Sequence, residues 1–148
     1  MNLSFVVNNL GNSEQNYQMI KLINTIAKSS NTIVPNVFYH NIMPSIIPVE
    51  CLHMNITGLS GMTGKTVSFD VESAQTVIST GTPTENWLYL WDIPWLYSVV
   101  NYPAALDLLA KFKIVVRSES HKANIENFTG RKDILVAKDM DEFYKCLI

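Results

Sequence analysis

Short apolar runs alternate along the chain with segments whose apolar residues recur every three or four positions. Runs of about four to eight apolar or β-branched residues between turn residues are typical of strands, and longer periodic segments are typical of amphipathic helices. The pattern predicts strands at 3–7, 33–39, 51–57, 87–91, 113–117 and 133–137. Because of Pro35, we expect strand 33–39 to be peripheral.

The predicted helices follow residues that commonly begin a helix. Their starts are set by Asn12, by Asp70 or Ser73, by Pro103, by Ser118 and by Asp139. The first helix has a regular apolar stripe between residues 19 and 27 and stops at the polar residues 29–31. Helices and strands therefore alternate over most of the chain.

Residues 87–92, Trp-Leu-Tyr-Leu-Trp-Asp, form a bulky, aromatic run that ends in a carboxylate. Such a run is typical of a strand buried on both faces within a parallel sheet. The alternation of strands and helices around it predicts an α/β fold. We predict a single Rossmann-like domain over residues 1–148, with a mainly parallel sheet of five to six strands and helices on both faces.

Candidate ligand-binding residues stand where predicted strands end, because ligands of such sheets bind beyond the carboxyl ends of the strands. They are Gly11, Asp92, Arg117, Ser118, Glu119 and His121. The backbone N–H groups of residues 11–14 and the Arg117 guanidinium favour an anion. Structural roles are open to the same residues: Gly11 can reverse the chain with a positive φ, and Ser118 can cap a helix.

Residues 58–66 end in Gly-Lys-Thr, as a phosphate-binding P-loop does. That motif requires a glycine where Leu59 stands and continues into a helix, whereas residues 66–69 are β-prone. The segment is therefore not predicted to bind a nucleotide in this way. We expect a mobile glycine loop between two strand-like segments, able to cover a ligand.

Two tryptophans, one histidine and two cysteines have alternative roles. Trp91 and Trp95 can form a stacking platform for a sugar or base, or pack in the core. His53 lies in a predicted strand, where a hydrogen-bonded histidine is commoner than a ligand. Cys51 and Cys146 are far apart and outside any CxxC pattern, which predicts two buried thiols, no metal site and no cofactor.

The 148 residues carry a formal net charge of −2, so the chain lacks the positive footprint of a nucleic-acid-binding protein. No apolar run approaches the roughly 18 to 20 residues that a membrane span needs, and residues 3–7 are too short for a signal peptide core. We expect a cytoplasmic protein. Charge is sparse before Cys51, which indicates either a face covered by another subunit or a bias toward asparagine.

From about residue 87 onward, the order strand, helix, strand, Arg-Ser-Glu-Ser-His, helix, glycine, strand and capped helix resembles the Rossmann-type half of a GT-B glycosyltransferase. The resemblance implies a sugar nucleotide in a cleft between two such halves. It assigns ligand contacts to Asn9, Gly11, Asp92, Arg117, Ser118, Glu119 and His121. Since only one half is present, a complete cleft requires a homodimer or another chain.

Two functions are consistent with these observations. The first is a small glycosyltransferase-like protein that binds a sugar nucleotide or related phosphate ligand at the strand ends, with its catalytic activity left open. The second is a non-enzymatic viral or accessory factor that uses the same fold, and an aromatic, charge-poor surface, to hold a protein partner.

Overall fold

A computed structural model describes residues 1–82, 84–93 and 102–148. Within these ranges the strands are β1 (Asn2–Asn9), β2 (Val34–Asn41), β3 (Leu52–Asn55), β4 (Gly64–Ser68), β5 (Thr84–Leu90), β6 (Lys113–Val116) and β7 (Leu135–Val136). The helices are α1 (Glu14–Ser29), α2 (Val71–Thr80), α3 (Tyr102–Ala110), α4 (Glu119–Thr129) and α5 (Met140–Leu147). None of these helices is long and apolar enough to cross a membrane.

The seven strands form one parallel sheet in the order β3-β2-β1-β4-β5-β6-β7. The parallel, Rossmann-like α/β architecture is therefore confirmed. The predicted count of five to six strands is wrong, because β4 forms a seventh strand within the described residues. β4 begins inside segment 58–66, which the sequence analysis interpreted as a glycine loop.

Gly64 explains why β4 resembles a loop in the sequence. Its φ is +104°, and a Cβ at this position would collide with the carbonyl oxygen of Asn2 in β1. The next strand residues, Thr66, Val67 and Ser68, are fully buried. The glycine therefore permits a close approach of β4 to β1, at a position that an L-residue side chain cannot occupy.

β2 and β3 also differ from the prediction. β2 lies between β1 and β3 and is not an edge strand. Pro35 is tolerated there because β3 pairs with β2 only from Asn36 onward, so the missing N–H of Pro35 has no partner to lose. The predicted strand 51–57 ends at Asn55, whose side chain caps a 3-10 turn over Ile56–Leu59.

The sheet separates two apolar layers, one on each face. α1 and α5 cover the face that carries Phe5, Val67 and Tyr89. The other three helices cover the opposite face, which carries Val6 and Leu88. This division follows from the alternation of side chains along a strand, and it confirms the prediction of helices on both faces.

The helix starts agree with the predicted caps, with one shift. Ser13, and not Asn12, is the N-cap of α1, and its hydroxyl accepts a hydrogen bond from the N–H of Asn16. Ser118 caps α4 and Asp139 caps α5, as the sequence predicts. Each cap side chain accepts a hydrogen bond from a first-turn N–H that has no partner within the helix.

Cys51 and Cys146 are both free, and each is partly exposed. The prediction of two buried thiols is therefore wrong in extent, because both side chains lie near the protein surface. Partial burial still raises the pKa of the Cys51 thiol to about 11. A thiol with so high a pKa stays protonated at neutral pH and is a poor nucleophile.

Candidate functional site

β1 and β4 are neighbours in the sheet, but the chain leaves them toward opposite sides. β1 is followed by β2 on one side, whereas β4 is followed by β5 on the other. The turns after β1 and β4 therefore diverge at the carboxyl edge of the sheet. A crevice at this position is where open α/β sheets bind their ligands.

The crevice between these turns is a cavity of about 380 Å³, here named the switch-point cavity. Val7, Gly11 and Met43 form its less polar wall. The other lining residues are polar: Asn8, Asn9, Asn12, Ser13, Gln15, Asn16 and Asp70. Asn9 and Gly11, which the sequence singles out, thus lie together in one cavity.

Side-chain hydrogen bonds fix the turn between β1 and α1. The Gly11 N–H donates to Asn9 Oδ1 at 2.8 Å. Asn16 Nδ2 donates to the carbonyl oxygens of Asn9 and Gly11 at 3.1 and 2.8 Å. Since α1 holds Asn16 and Asn16 holds the turn, this wall of the cavity is formed before a ligand arrives.

Gly11 does not have the conformation that the sequence analysis considered. The glycines with positive φ in the described ranges are Gly61, Gly64, Gly81 and Gly130, so Gly11 does not reverse the chain through the left-handed region. A larger residue here would displace neighbouring side chains. A Cβ at Gly11 would lie 2.8 Å from Asn9 Oδ1 and 3.2 Å from the methyl group of Met43.

Several N–H groups at the start of α1 already have partners. The N–H of Gly11 donates to Asn9, that of Ser13 to the Gly11 carbonyl, and that of Asn16 to the Ser13 hydroxyl. No lysine or arginine is among the described residues that line the cavity. This end of the helix therefore offers fewer free donors to an anion than residues 11–14 indicate in the sequence.

Asp70 contributes the carboxylate of the switch-point cavity, and the sequence analysis considered it only as a helix start. It is the N-cap of α2, where its two oxygens accept from the N–H and the hydroxyl of Ser73 at 2.7 and 2.9 Å. Its nearness to β1 depends on β4, the strand that was not predicted. The β-prone residues 66–69 directly before Asp70 were the available signal.

Arg117 and Trp91 form a second feature at the same edge, after β6 and β5. The guanidinium carbon of Arg117 lies 3.9 Å from the centre of the Trp91 ring. Trp91 is 8 % exposed and packs edge-on against Tyr89, with ring centres 5.9 Å apart. Trp91 is therefore a core residue that supports Arg117, and Trp95 lies outside the described residues.

Arg117 lies near acidic residues but does not pair with them. Asp92 and Glu119 form no ion pair with Arg117, and no described residue lies within ion-pair or hydrogen-bond distance of its guanidinium. Burial raises the pKa of Tyr89 to about 12, and the positive charge of Arg117 acts against this rise. Among the described residues, the contact of the Arg117 guanidinium is thus the aromatic face of Trp91.

The remaining predicted residues surround the start of α4. The Ser118 hydroxyl accepts from the His121 N–H at 3.2 Å and lies 3.0 Å from the Ser120 hydroxyl. His121 Nδ1 is buried without a hydrogen-bond partner among the described residues. Glu119 and Asp92 are exposed. Ser118 therefore has the structural role that the sequence analysis left open.

The two groups of predicted residues lie on one edge but do not touch. β1 and β6 are separated by β4 and β5, which places the groups about 14 Å apart at a strand spacing of about 4.8 Å. Arg117 follows the odd-numbered residue Val115 along β6, so it lies on the face that α1 and α5 cover. α1 also begins at the switch-point cavity, so both groups share this side.

A second cavity of about 460 Å³ adjoins the first and was not predicted. It shares Met43 with the switch-point cavity and is lined mainly by apolar residues: Leu10, Tyr39, Ile42, Pro44, Ser45, Val49 and His53. His53 Nδ1 lies 3.1 Å from the Cys51 carbonyl oxygen, so His53 is hydrogen-bonded as expected. Only the strand order, which brings residues 39–53 beside the first turn, reveals this cavity.

In the described ranges, no three His, Cys, Asp or Glu side chains are grouped closely enough to hold a metal ion. No family model matches the chain, and neither a curated protein nor a solved structure matches it. The functional argument therefore depends on the fold and on the geometry of the carboxyl edge.

Proposed function

We propose that the protein is a glycosyltransferase-like binder of a sugar nucleotide or related phosphate ligand, which lies along the carboxyl edge of the sheet. The observation that carries the proposal is the state of Arg117: its guanidinium carbon lies over the Trp91 ring, 3.9 Å from the ring centre, and no carboxylate is paired to it among the described residues. A phosphate supplies the negative charge that pairs with this arginine.

The geometry of Arg117 suits a phosphate. Trp91 occupies one side of the guanidinium, so N–H groups that point away from the ring remain available. Those groups match two phosphate oxygens at once, and such charge-assisted bonds are about twice as strong as neutral ones. A cation that is partly desolvated and unpaired is otherwise costly, which favours a ligand-binding role over a structural one.

The distance between the two groups supports an extended ligand. A sugar nucleotide has a charged diphosphate between two neutral, hydroxyl-bearing units. The guanidinium lies over Trp91 at the end of β5, two strand spacings or about 10 Å from β1, so with the diphosphate at Arg117 one neutral unit extends along the edge toward the switch-point cavity. The adjoining apolar cavity gives the same side of the edge further room.

A fluorescence titration tests this function. Trp91 lies directly under Arg117, so a bound diphosphate will change its emission. UDP-, GDP- and dTDP-linked hexoses are added to the protein, and free hexoses and inorganic sulfate serve as controls. Saturable binding of at least one sugar nucleotide is expected. Failure of all of them at millimolar concentration contradicts the proposal.

The second candidate is a non-enzymatic interaction factor, and one observation favours it. Ile42, Met43 and Ile46 are 81, 47 and 51 % exposed, all in the segment between β2 and β3. Neighbouring exposed apolar side chains of this size are typical of protein-binding surfaces. This function predicts no response to sugar nucleotides and loss of partner binding when Ile42 and Ile46 are replaced by serine.

A further inference from the structure

We infer that the switch-point cavity receives a neutral, hydroxyl-bearing ring of the ligand, namely its sugar, and that the phosphates do not bind there. The inference rests on the proposed function and assigns a ligand class to a cavity whose anion-binding character the sequence had suggested.

The charges around the cavity disfavour a phosphate. Asp70 lines it, and no lysine, arginine or histidine does so among the described residues. Glu72 lies beside it, where its carboxylate accepts from Asn8 Nδ2 at 3.1 Å. A phosphate in this cavity would face the Asp70 carboxylate and lie near that of Glu72, without a compensating cation among the described lining residues. Like charges at such short range raise the free energy of binding.

The groups that remain free form a mixed set of donors and acceptors. Asn9 Nδ2 is a donor and Asn16 Oδ1 an acceptor, and neither has another hydrogen bond among the described residues. The Gln15 amide offers both kinds of group, and it has no hydrogen-bond partner among the described residues. A phosphate at neutral pH mainly accepts hydrogen bonds, whereas a sugar hydroxyl both donates and accepts.

The orientations of the free amide groups are set in advance. The Gly11 N–H requires an oxygen at Asn9 Oδ1, which turns Nδ2 away from the turn. The two backbone carbonyls bound by Asn16 require a donor, so they face its Nδ2 and leave its Oδ1 free. These bonds identify the oxygen and nitrogen of each amide, and they reduce the entropy lost when a ring of hydroxyls binds.

Asp70→Asn distinguishes the two ligand classes. Asparagine is as good an N-cap as aspartate, and its oxygen can still accept from the Ser73 N–H, so α2 is kept. Affinity is measured for the sugar nucleotide and for the matching nucleoside diphosphate. We expect about tenfold weaker binding of the sugar nucleotide, and no change for the diphosphate, because only the sugar loses a charge-assisted acceptor.

Asp141→Asn is the matched control, since it removes the same charge from an exposed residue in the first turn of α5. Gln15→Ala provides a second variant that disturbs no hydrogen bond of the described residues. This variant should bind the sugar nucleotide several-fold more weakly and the nucleoside diphosphate with unchanged affinity. Tighter binding of the nucleoside diphosphate by Asp70→Asn, with Asp141→Asn unchanged, would place phosphate in the cavity and overturn the inference.

Methyl glycosides separate this inference from the proposed function. In saturation-transfer NMR, the wild-type protein should bind at least one methyl hexoside, and Asp70→Asn should reduce the signal strongly. This result would support the cavity assignment even if no sugar nucleotide bound. Binding of sugar nucleotides without any effect of Asp70→Asn or Gln15→Ala would leave the proposed function standing and refute the sugar assignment.

Discussion

Trp91 has its ring edge-on to Tyr89 in the core and carries the Arg117 guanidinium on its face. This contact restricts the guanidinium, so the proposed phosphate ligand would cost less side-chain entropy to bind. A lysine could supply the charge at this position. It could not supply two donors in one plane.

Replacement of Arg117 tests its part in binding. Arg117→Ala should weaken sugar-nucleotide binding by roughly 1.5 to 3 kcal/mol, the size of a charge-assisted hydrogen bond, and Arg117→Lys should recover part of that loss. Stability should fall by about 1 kcal/mol or less, since a cation over an aromatic ring contributes little more at a partly exposed site. Isothermal titration and thermal melts measure the two effects.

Lys138→Ala is a suitable control for Arg117→Ala. Lys138 is an exposed cation beyond the carboxyl end of β7. Its replacement changes the net charge as much as Arg117→Ala does and leaves the contact between Arg117 and Trp91 in place. Binding should be nearly unaltered in this variant. A large drop in melting temperature for Arg117→Ala, with unchanged binding, would instead show that Arg117 is structural.

Tyr89 should make stability depend on pH in alkali. Its pKa is about 12 in the folded protein because the side chain is buried, against an ordinary value of 10. The folded state therefore binds the phenolic proton more tightly. The resulting stabilisation is complete below about pH 10 and is lost as pH rises toward 12, by up to about 1.4 kcal/mol per pH unit.

Urea unfolding of wild-type protein and Tyr89→Phe at about pH 9 and pH 11 measures this effect. At the lower pH the wild-type protein should be more stable than Tyr89→Phe, because its Tyr89 hydroxyl donates to the Ala137 carbonyl at 2.9 Å. Its advantage should shrink at the higher pH. A difference that stays constant over this range would show that the phenol ionises equally in both states.

At the scale of elements, the joining of β1 and β4 depends on Gly64. Gly64→Ala combines an unfavourable positive φ with a collision against the Asn2 carbonyl. Gly61→Ala is the matched control, because Gly61 has φ +87° but open space around it. Denaturant unfolding should show a loss of about 1 to 2 kcal/mol for Gly61→Ala, and at least about 1 kcal/mol more for Gly64→Ala. Equal losses would contradict the role of close packing.

The elements that were predicted correctly have a local pattern in the sequence. α1 has a periodic apolar stripe, and β5 and β6 are uninterrupted apolar runs beside capped helices. β4 has no such signature, because Gly64 and Lys65 precede only three inward-facing residues. Its strand character comes from pairing with β1 and β5, and these are contacts between residues distant in the sequence.

The same distinction separates the predicted and the missed parts of the candidate site. Asn9 and Gly11 could be placed because β1, the turn and α1 are consecutive. Asp70 and Met43 belong to other connections, and they reach the cavity only through the strand order. The position of Arg117 at a strand end was predictable, whereas its contact with Trp91 requires the register of β5 and β6.

At the scale of the whole molecule, a ligand bound at the carboxyl edge as proposed would be accessible from one side. We expect a homodimer or a complex with another protein, in which a second surface closes over this edge. Light scattering with added sugar nucleotide should give a mass above 16.7 kDa, the mass of one chain. A monomer with and without ligand, together with no partner in affinity capture, would count against this expectation.

The position of β1 inside the sheet, between β2 and β4, also has a consequence for folding. Leu3 pairs with Lys65, so β1 finds one of its two neighbours only after most of the first half of the chain has been made. Until then its apolar residues Phe5, Val6 and Val7 lack that cover. Such distant pairings slow folding and lengthen exposure of aggregation-prone segments. During synthesis on the ribosome, we therefore expect the nascent chain to need chaperone protection until β4 emerges.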